Sequence, residues 1–347
     1  MYKRKKIVVV PGKILLDLPR NVKNLPYFAL DGILREDFFS PQREKFRVTL
    51  NIIPSLDPKF KATGGIRYSS HYQVGKDSIY YERHYSLFTV KLLIEHLTKN
   101  QFNVFVNSQY LKLVRFKIDR LYPLGAHIMD LLLIKIIESG DLVLHGASLF
   151  NSKNKSAFLM IAPPDTGKSY TTYCFLNNPE DNFKFLGEDF SYYDGKKKEL
   201  FCVPLTYTWG QYFDSHLLDP GKIPFVGLFL KRKKRTVKDI FGQQAVQERG
   251  KLRRIYLLEK SPWVSIKRTP LTKRVFQKVL TIQRYEFAYH QNPLLRAFDY
   301  VHGLGIEKIY EKEERLLMDL LRSTEVFEVM ADEYRRFYEM IREAELG

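Results

Sequence analysis

"MIAPPDTGKSYTTY", residues 160–173, decides how the rest of the chain is read. Its Gly167-Lys168-Ser169 closes the pattern of a phosphate-binding loop: a glycine, any four residues, then Gly-Lys-Ser or Gly-Lys-Thr. Ala162 stands where the opening glycine belongs, and Pro163 and Pro164 follow it. The apolar run 157–161 predicts a strand entering the loop, and "KSYTTYCFLNN" (168–178) predicts a helix leaving it. That order aims the free amides and positive end of the helix at a bound phosphate. Gly167 permits close passage of the backbone, Lys168 reaches the β- and γ-phosphates, and Ser169 holds a bridging Mg²⁺. Against this, each proline removes an amide donor while stiffening the loop, and Asp165 brings negative charge. A Gly-Lys-Ser string also has a plain reading, as a turn that arose by chance.

Working outward, "DLVLHGASLF" (141–150) predicts a strand before the loop, with a turn at 151–155. "FKFLGEDFSYYDG" (183–195) predicts a strand after its helix. The helix pattern of 123–141 places Ile128, Leu131, Leu132 and Ile136 on one face, with Gly140 closing it. Residues 7–120 read as mostly β: 7–10, 45–53 and 103–118 as strands, with 86–100 open between strand and short helix. Apolar runs at 200–208 and 224–230 read as further strands, and 237–247 and 272–280 as helices. In "QNPLLRAFDY" (291–300), Pro293 starts a helix whose Leu294, Leu295 and Phe298 pack inward. From 309 to 345 the pattern is helical: Leu316, Leu317, Leu320 and Leu321 form one face, and Phe327, Met330, Tyr334, Phe337 and Ile341 another.

His145-Gly146 before the loop, Gly167-Lys168-Ser169 within it, and Glu188-Asp189 after its helix resemble, in that order, the motifs of the HPr kinase/phosphorylase catalytic domain. That superfamily also includes the architecture of phosphoenolpyruvate carboxykinase. The resemblance in motif order covers roughly 123–235. It implies an α/β (α+β) fold whose nucleotide-binding domain is built on a mixed, bent sheet, with a P-loop and flanking helices. With the strand and helix patterns on either side, the chain divides into a mostly β region at 1–122, a domain at 123–305 that resembles the kinase, and a helical tail at 306–347. It implies ATP and Mg²⁺ as cofactors, and His145, Lys168, Glu188 and Asp189 as catalytic residues. Ala162, Asp165, Thr166, Gly167, Lys168, Ser169 and Tyr170 would hold the nucleotide, and Ser169 and Asp189 the metal. Glu188 stands where the family carries aspartate, one methylene longer. Each position keeps a structural alternative: His145 as a satisfied core histidine, Glu188-Asp189 as a solvent turn.

The activity so implied is ATP-dependent transfer of the γ-phosphate to a hydroxyl of a protein, peptide or small molecule. Two other classes stand beside it. One is a non-catalytic nucleotide-binding regulator or scaffold. The other is a basic protein that binds nucleic acid or a membrane surface. The chain of 347 residues carries a formal net charge of +17, unevenly spread. Residues 222–284 hold 18 Lys and Arg against 3 Asp and Glu, whereas residues 307–347 hold 7 against 12. Such a field attracts phosphates, acidic partners or nucleic acid. "FLKRKKRTVKDI" (229–240), with Arg232 and Lys234, is the densest basic run. Arg253, Arg254, Arg268, Arg274 and Arg284 are further candidates. No zinc-finger spacing or recognition helix is legible. Two cysteines, Cys174 and Cys202, form no metal spacing and suggest no disulfide framework, so the sequence reads as cytoplasmic.

Overall fold

Alternating side chains in Phe46–Ile53 bury Phe46, Val48 and Leu50 on one face, as a half-buried strand requires. The computed structural model describes residues 3–23, 25, 34, 38–53, 65–85, 87–113, 122–204 and 236–347. Its contacts divide them into two units. The first takes the residues up to Gly140 together with Phe287–Arg315; the second takes Asp141–Glu286 and Leu316–Gly347. The sequence pattern suggested junctions at 122/123 and 305/306; the contact-defined ones fall at 140/141, 286/287 and 315/316.

The first unit is β-rich. Strands β1 (Arg4–Val10), β2 (Ile14–Pro19), β3 (Phe46–Ile53), β4 (Ile66–Arg67), β5 (Tyr72–Gly75), β6 (Ser78–Tyr85), β7 (Phe88–Glu95) and β8 (Gln101–Asn107) form one mixed sheet. Their order is β1-β2-β3-β8-β7-β6-β5-β4, and β3 runs parallel to both β2 and β8. The open segment 86–100 thus contains a strand. The strand expected at 103–118 stops at Asn107, whose side-chain oxygen accepts the Tyr110 amide and turns the chain into helix α1 (Ser108–Leu113). Helix α2 (Leu124–Glu138) is buried from Leu124 to Ile137, so it is a core helix rather than an amphipathic surface one. After the second unit the chain returns as α6 (Pro293–His302), with Leu294, Leu295 and Phe298 buried as its pattern predicts.

The second unit holds β9 (Leu142–Leu144), β10 (Ala147–Asn151), β11 (Ser156–Ile161), α3 (Lys168–Leu176), β12 (Phe183–Gly187), β13 (Ser191–Asp194) and β14 (Glu199–Phe201). There follow α4 (Val237–Phe241), β15 (Arg249–Lys260), β16 (Ser265–Arg268) and α5 (Lys273–Glu286). Helix α7 (Ile306–Arg322) leads into β17 (Glu325–Ala331) and α8 (Tyr334–Leu346). The fold is mixed α/β, with a bent sheet of parallel and antiparallel strands flanked by helices.

The bend has a clear origin. Strand β15 pairs with antiparallel β14 near its start, then with parallel β11 and β17 along the rest of its length. It therefore belongs to both halves of the sheet. The sequence pattern assigned no element to 249–260, because its apolar face is interrupted by Arg249, Lys251, Arg253 and Arg254. The two flanking strands are also divided. The strand expected at 142–150 breaks at His145-Gly146 into β9 and β10, and that at 183–195 breaks at 188–190 into β12 and β13. Because β9 pairs with β13 and β10 with β12, the two breaks fall side by side. At Gly146 an added Cβ would sit 2.6 Å from the Met160 carbonyl oxygen, so no larger residue passes there.

The C-terminal segment is helical but carries β17 within it. Phe327 and Met330, read as part of a helical face, lie in this strand. Parallel pairing with β15 outweighs their helical spacing. The helix expected at 237–247 ends at Phe241, because Gly242 adopts φ 82°. Residues 205–235, including the strand expected at 224–230 and most of the basic run, lie outside the described residues.

Candidate functional site

Five strand ends meet at one edge of the second unit's sheet. Ala147 of β10 opposes Met160 of β11, and Gly187 of β12 opposes Ser148, so 145–146, 162–167 and 188–189 all emerge on the same side. β15 and β17 run parallel to β11 and end there too, at Lys260 and Ala331. The carboxyl ends of parallel strands are the usual place for ligands in such sheets.

The 162–167 loop connects β11 to α3 through two left-handed residues, Asp165 at φ 58° and Gly167 at φ 113°. Aspartate tolerates that region better than most side chains, and Gly167 supplies the second turn without a Cβ penalty. Thr166 Oγ1 donates to the Pro163 carbonyl at 2.9 Å and tightens the bend. Gly167 is the N-cap of α3, and no side chain caps the helix. The first amides of α3 are thus left to a ligand or solvent. Ala162 is buried, Asp165 exposed, Thr166 buried, and Ser169 and Tyr170 half-buried on the first turn.

Lys168 is buried, and its Nζ donates to the carbonyls of Ala162 (2.7 Å) and Pro163 (3.1 Å). Burial lowers its pKa, and the charges of Asp189, Glu286, Glu188 and Asp165 push it back up. His145, 5 % exposed, lies in the same field: burial first and the Lys168 charge second drive its pKa down to about 3. It is therefore neutral near pH 7. Its Nδ1 is 3.8 Å from Glu286 Oε2. Asp189 takes φ 58° between β12 and β13, and burial raises its pKa against the pull of Lys168. Glu188 beside it is 3 % exposed. Of the four residues predicted as catalytic, His145, Glu188 and Asp189 thus share the field of the fourth, Lys168.

No family model matches the chain, and no curated protein matches it. Solved structures are similar to part of the chain, among them one enzyme. The Hpr(Ser) kinase/phosphatase from Coxiella burnetii aligns over 47% of this chain and 98% of that one, at 13% identity and a TM-score of 0.23. The likeness is weak and covers under half of this chain.

Two members of the cluster carried no sequence signal. Glu286, the last residue of α5, has its pKa raised by burial, and its Oε1 is buried with no hydrogen-bond partner. Gln283, one turn earlier, accepts the His145 amide (3.2 Å) through Oε1 and donates to the Val143 carbonyl through Nε2. It bridges the break in the strand and holds His145 at the edge. Helical spacing puts 283 and 286 on one face, but that face has no motif.

Among the described residues no group of three or more His, Cys, Asp or Glu is arranged to hold a metal ion. Also among them, no helix is long and apolar enough to cross a membrane. Part of the basic region is neutralised by the chain's own acidic end. Glu325 lies within reach of Arg254 (3.1 Å), Arg268 (3.3 Å) and Arg253 (4.0 Å), and Lys278 bonds Glu259 and Glu328, each at 2.8 Å. Arg254 also pairs with buried Glu345, which makes it an internal anchor. Arg232 and Lys234 fall outside the described residues.

Proposed function

We propose that the second unit binds a nucleoside triphosphate, ATP by preference, and transfers its γ-phosphate to a hydroxyl acceptor. The observation that carries this reading is electrostatic. Lys168 lies in the field of four carboxylates, Asp189, Glu286, Glu188 and Asp165, behind an uncapped helix N-terminus. The amides of 165–170 and the positive end of α3 favour the phosphate chain, and Lys168 would swing from its two loop carbonyls onto the β- and γ-phosphates. One ammonium leaves this group of carboxylates short of positive charge, and burial raises the pKa of both Asp189 and Glu286. A divalent cation such as Mg²⁺ suits that deficit, with Asp189 and Ser169 as its protein ligands and substrate oxygens completing the shell. Mg²⁺ would neutralise the charge that develops on the transferring phosphoryl group.

In this reading Glu188 accepts the proton of the acceptor hydroxyl as its oxygen bonds to the γ-phosphorus. The bond from that phosphorus to the β–γ bridging oxygen breaks, and the diphosphate leaves. His145, neutral, cannot offset phosphate charge. Its part is positional, a neutral ring beside the 188–189 turn and 3.8 Å from Glu286. The acceptor class is open to proteins, peptides and small molecules.

A second reading, a non-catalytic nucleotide-binding regulator, draws on two features. Pro163 and Pro164 remove two amides, and Lys168 is already satisfied by loop carbonyls. One experiment separates the two: titrate Mg²⁺-ATP, then assay transfer of labelled γ-phosphate across a broad acceptor panel. Transfer that disappears in Lys168→Met and Asp189→Asn supports the kinase. Binding without transfer supports the regulator, and salt-sensitive nucleic-acid binding indifferent to Lys168 would sink both.

A further inference from the structure

The loop sits between two unlike sides of the strand edge. In the order β12-β10-β11-β15-β17, the acids and His145 emerge from β12 and β10, on one side of β11. On the other side β15 and β17 outrun β11. Ile161 opposes Leu257, yet β15 continues to Lys260. Three further residues rise about 10 Å at strand geometry, so this flank stands above the loop.

What stands there is aromatic and cationic. Tyr334, first residue of α8, lies against Gly167: a Cβ on that glycine would be 2.6 Å from Tyr334 Cδ1. The phenol donates to the Asp165 carbonyl at 3.3 Å and accepts from Lys260 Nζ at 2.9 Å. Tyr170 adds a second ring, 6.1 Å from the first. Tyr334 keeps 38% of its surface exposed, although one side rests on the backbone and the Lys260 ammonium lies over the ring, 4.3 Å from its centroid, and would give way to a base. The core of α8 is held elsewhere, by buried Phe337 and Ile341, and so does not need this ring.

Phosphoryl transfer requires the γ-phosphate beside Glu188 and Asp189. The α-phosphate and nucleoside of the same molecule must then leave the loop on the opposite side, toward β15 and β17. We propose that Tyr334, held in place by Lys260, is the surface that receives the nucleoside. This rests on the nucleotide reading above and extends it to a residue that no loop motif includes. A nucleobase stacks on any aromatic ring, so the contact reads the presence of a base rather than its identity.

The test compares Mg²⁺-ATP with Mg²⁺-tripolyphosphate, which has the same phosphates and no nucleoside, by calorimetric titration of the full chain. Wild type should bind ATP more tightly, by about 5- to 150-fold for one base–aromatic stack. Tyr334→Leu, which keeps apolar bulk over Gly167, should erase that advantage while leaving tripolyphosphate affinity within about twofold of wild type. Tyr334→Phe should keep the advantage. Equal weakening of both ligands by Tyr334→Leu would make the ring a mere prop for the loop, and an unchanged ratio would give it no part; either overturns the inference. Wild type that binds both ligands equally overturns it alone, whereas wild type that binds neither removes the nucleotide reading and the inference together. Photolabelling of the wild-type chain with 8-azido-ATP needs no variant. Attachment to a peptide containing Tyr334 or Lys260 supports the assignment, and attachment only elsewhere overturns it.

Discussion

Each unit buries a histidine near a carboxylate, and the two are used differently. In the first unit His127 Nδ1 lies 3.0 Å from Asn292 Oδ1 and, since an amide oxygen only accepts, must carry the proton. Asn292 Nδ2 then donates to Asp130 Oδ2 (2.9 Å), which also accepts from Tyr122 (2.7 Å). The same Asn292 oxygen accepts from the amides of Leu294 and Leu295 and starts α6. This chain of partners joins two helices and involves no ammonium. In the second unit His145 lies among Lys168, Glu286 and the 188–189 turn at a sheet edge, where charges gather without neutralising one another. A hydrogen-bonded network, even one that leaves Asp130 Oδ1 unpartnered, ties a core together; an unbalanced set of charges is stabilised by a ligand that restores the balance.

That contrast predicts that residues of the second cluster govern activity and those of the first govern stability. Lys168→Met should lower the rate of phosphate transfer by about 10²- to 10³-fold, the usual cost of one well-placed charge donor. It should lower the urea midpoint only modestly, because Asp189 and Glu286, whose pKa values burial already raises, can take up protons once the ammonium is gone. Asn292→Ala should do the reverse. Losing the helix cap costs about 1 kcal/mol and stranding His127 and Asp130 about 1–3 kcal/mol more, with turnover per folded molecule unchanged. Urea unfolding paired with active-site-normalised rates checks both variants, and a large rate loss in Asn292→Ala would erase the distinction.

A smaller, pH-dependent effect follows from Asp130, whose pKa burial raises to about 6. Above that value the folded state carries a buried charge that the unfolded state solvates freely, so the wild type gives up stability there and regains it as pH falls from about 6 toward 4. Asp130→Asn removes the charge while still accepting from Asn292 and Tyr122. It should be more stable than wild type by up to about 3 kcal/mol at pH 7.5, with the advantage gone by pH 4. His127, lowered to about 4, works in the opposite sense: the folded state loses stability as pH drops from 6.5 toward 4, and the variant exposes this slope. Unfolding curves at several pH values distinguish the two terms. Smallest is the cap of α4, where Thr236 and Asp239 exchange bonds in a capping box. Thr236→Ala should cost about 1 kcal/mol, less than Asn292→Ala, and thermal melts would show whether the network adds anything beyond the cap.

Much of the fold was legible wherever local chemistry repeats at a fixed spacing. The alternation at 45–53, the core run of α2 and the Asn-Pro start of α6 all appear where their patterns place them. The strand, loop and helix around Gly167-Lys168-Ser169 do as well. What escaped lacked a local signal. The strand β15 looks like a run of exposed bases, because neighbours on both sides bury its apolar residues. β17 has helical spacing and is a strand because β15 is beside it. Glu286, Gln283, Lys260 and Tyr334 lie about 90 to 170 residues from the loop motif or its His-Gly partner, so no spacing rule reaches them.

Residue types and their order already specified the strand, loop and helix around Gly167-Lys168-Ser169, the lysine and acids of its motif, and a β-rich first portion. Those properties depend on neighbours a few bonds apart, which sequence displays directly. Only the folded chain decided that the strands break side by side at His145 and Glu188, that one ammonium lies in the field of four carboxylates, and that an aromatic ring rests on Gly167. These follow from strand pairing and burial between distant segments, where an interaction's strength depends on the surroundings that desolvate it.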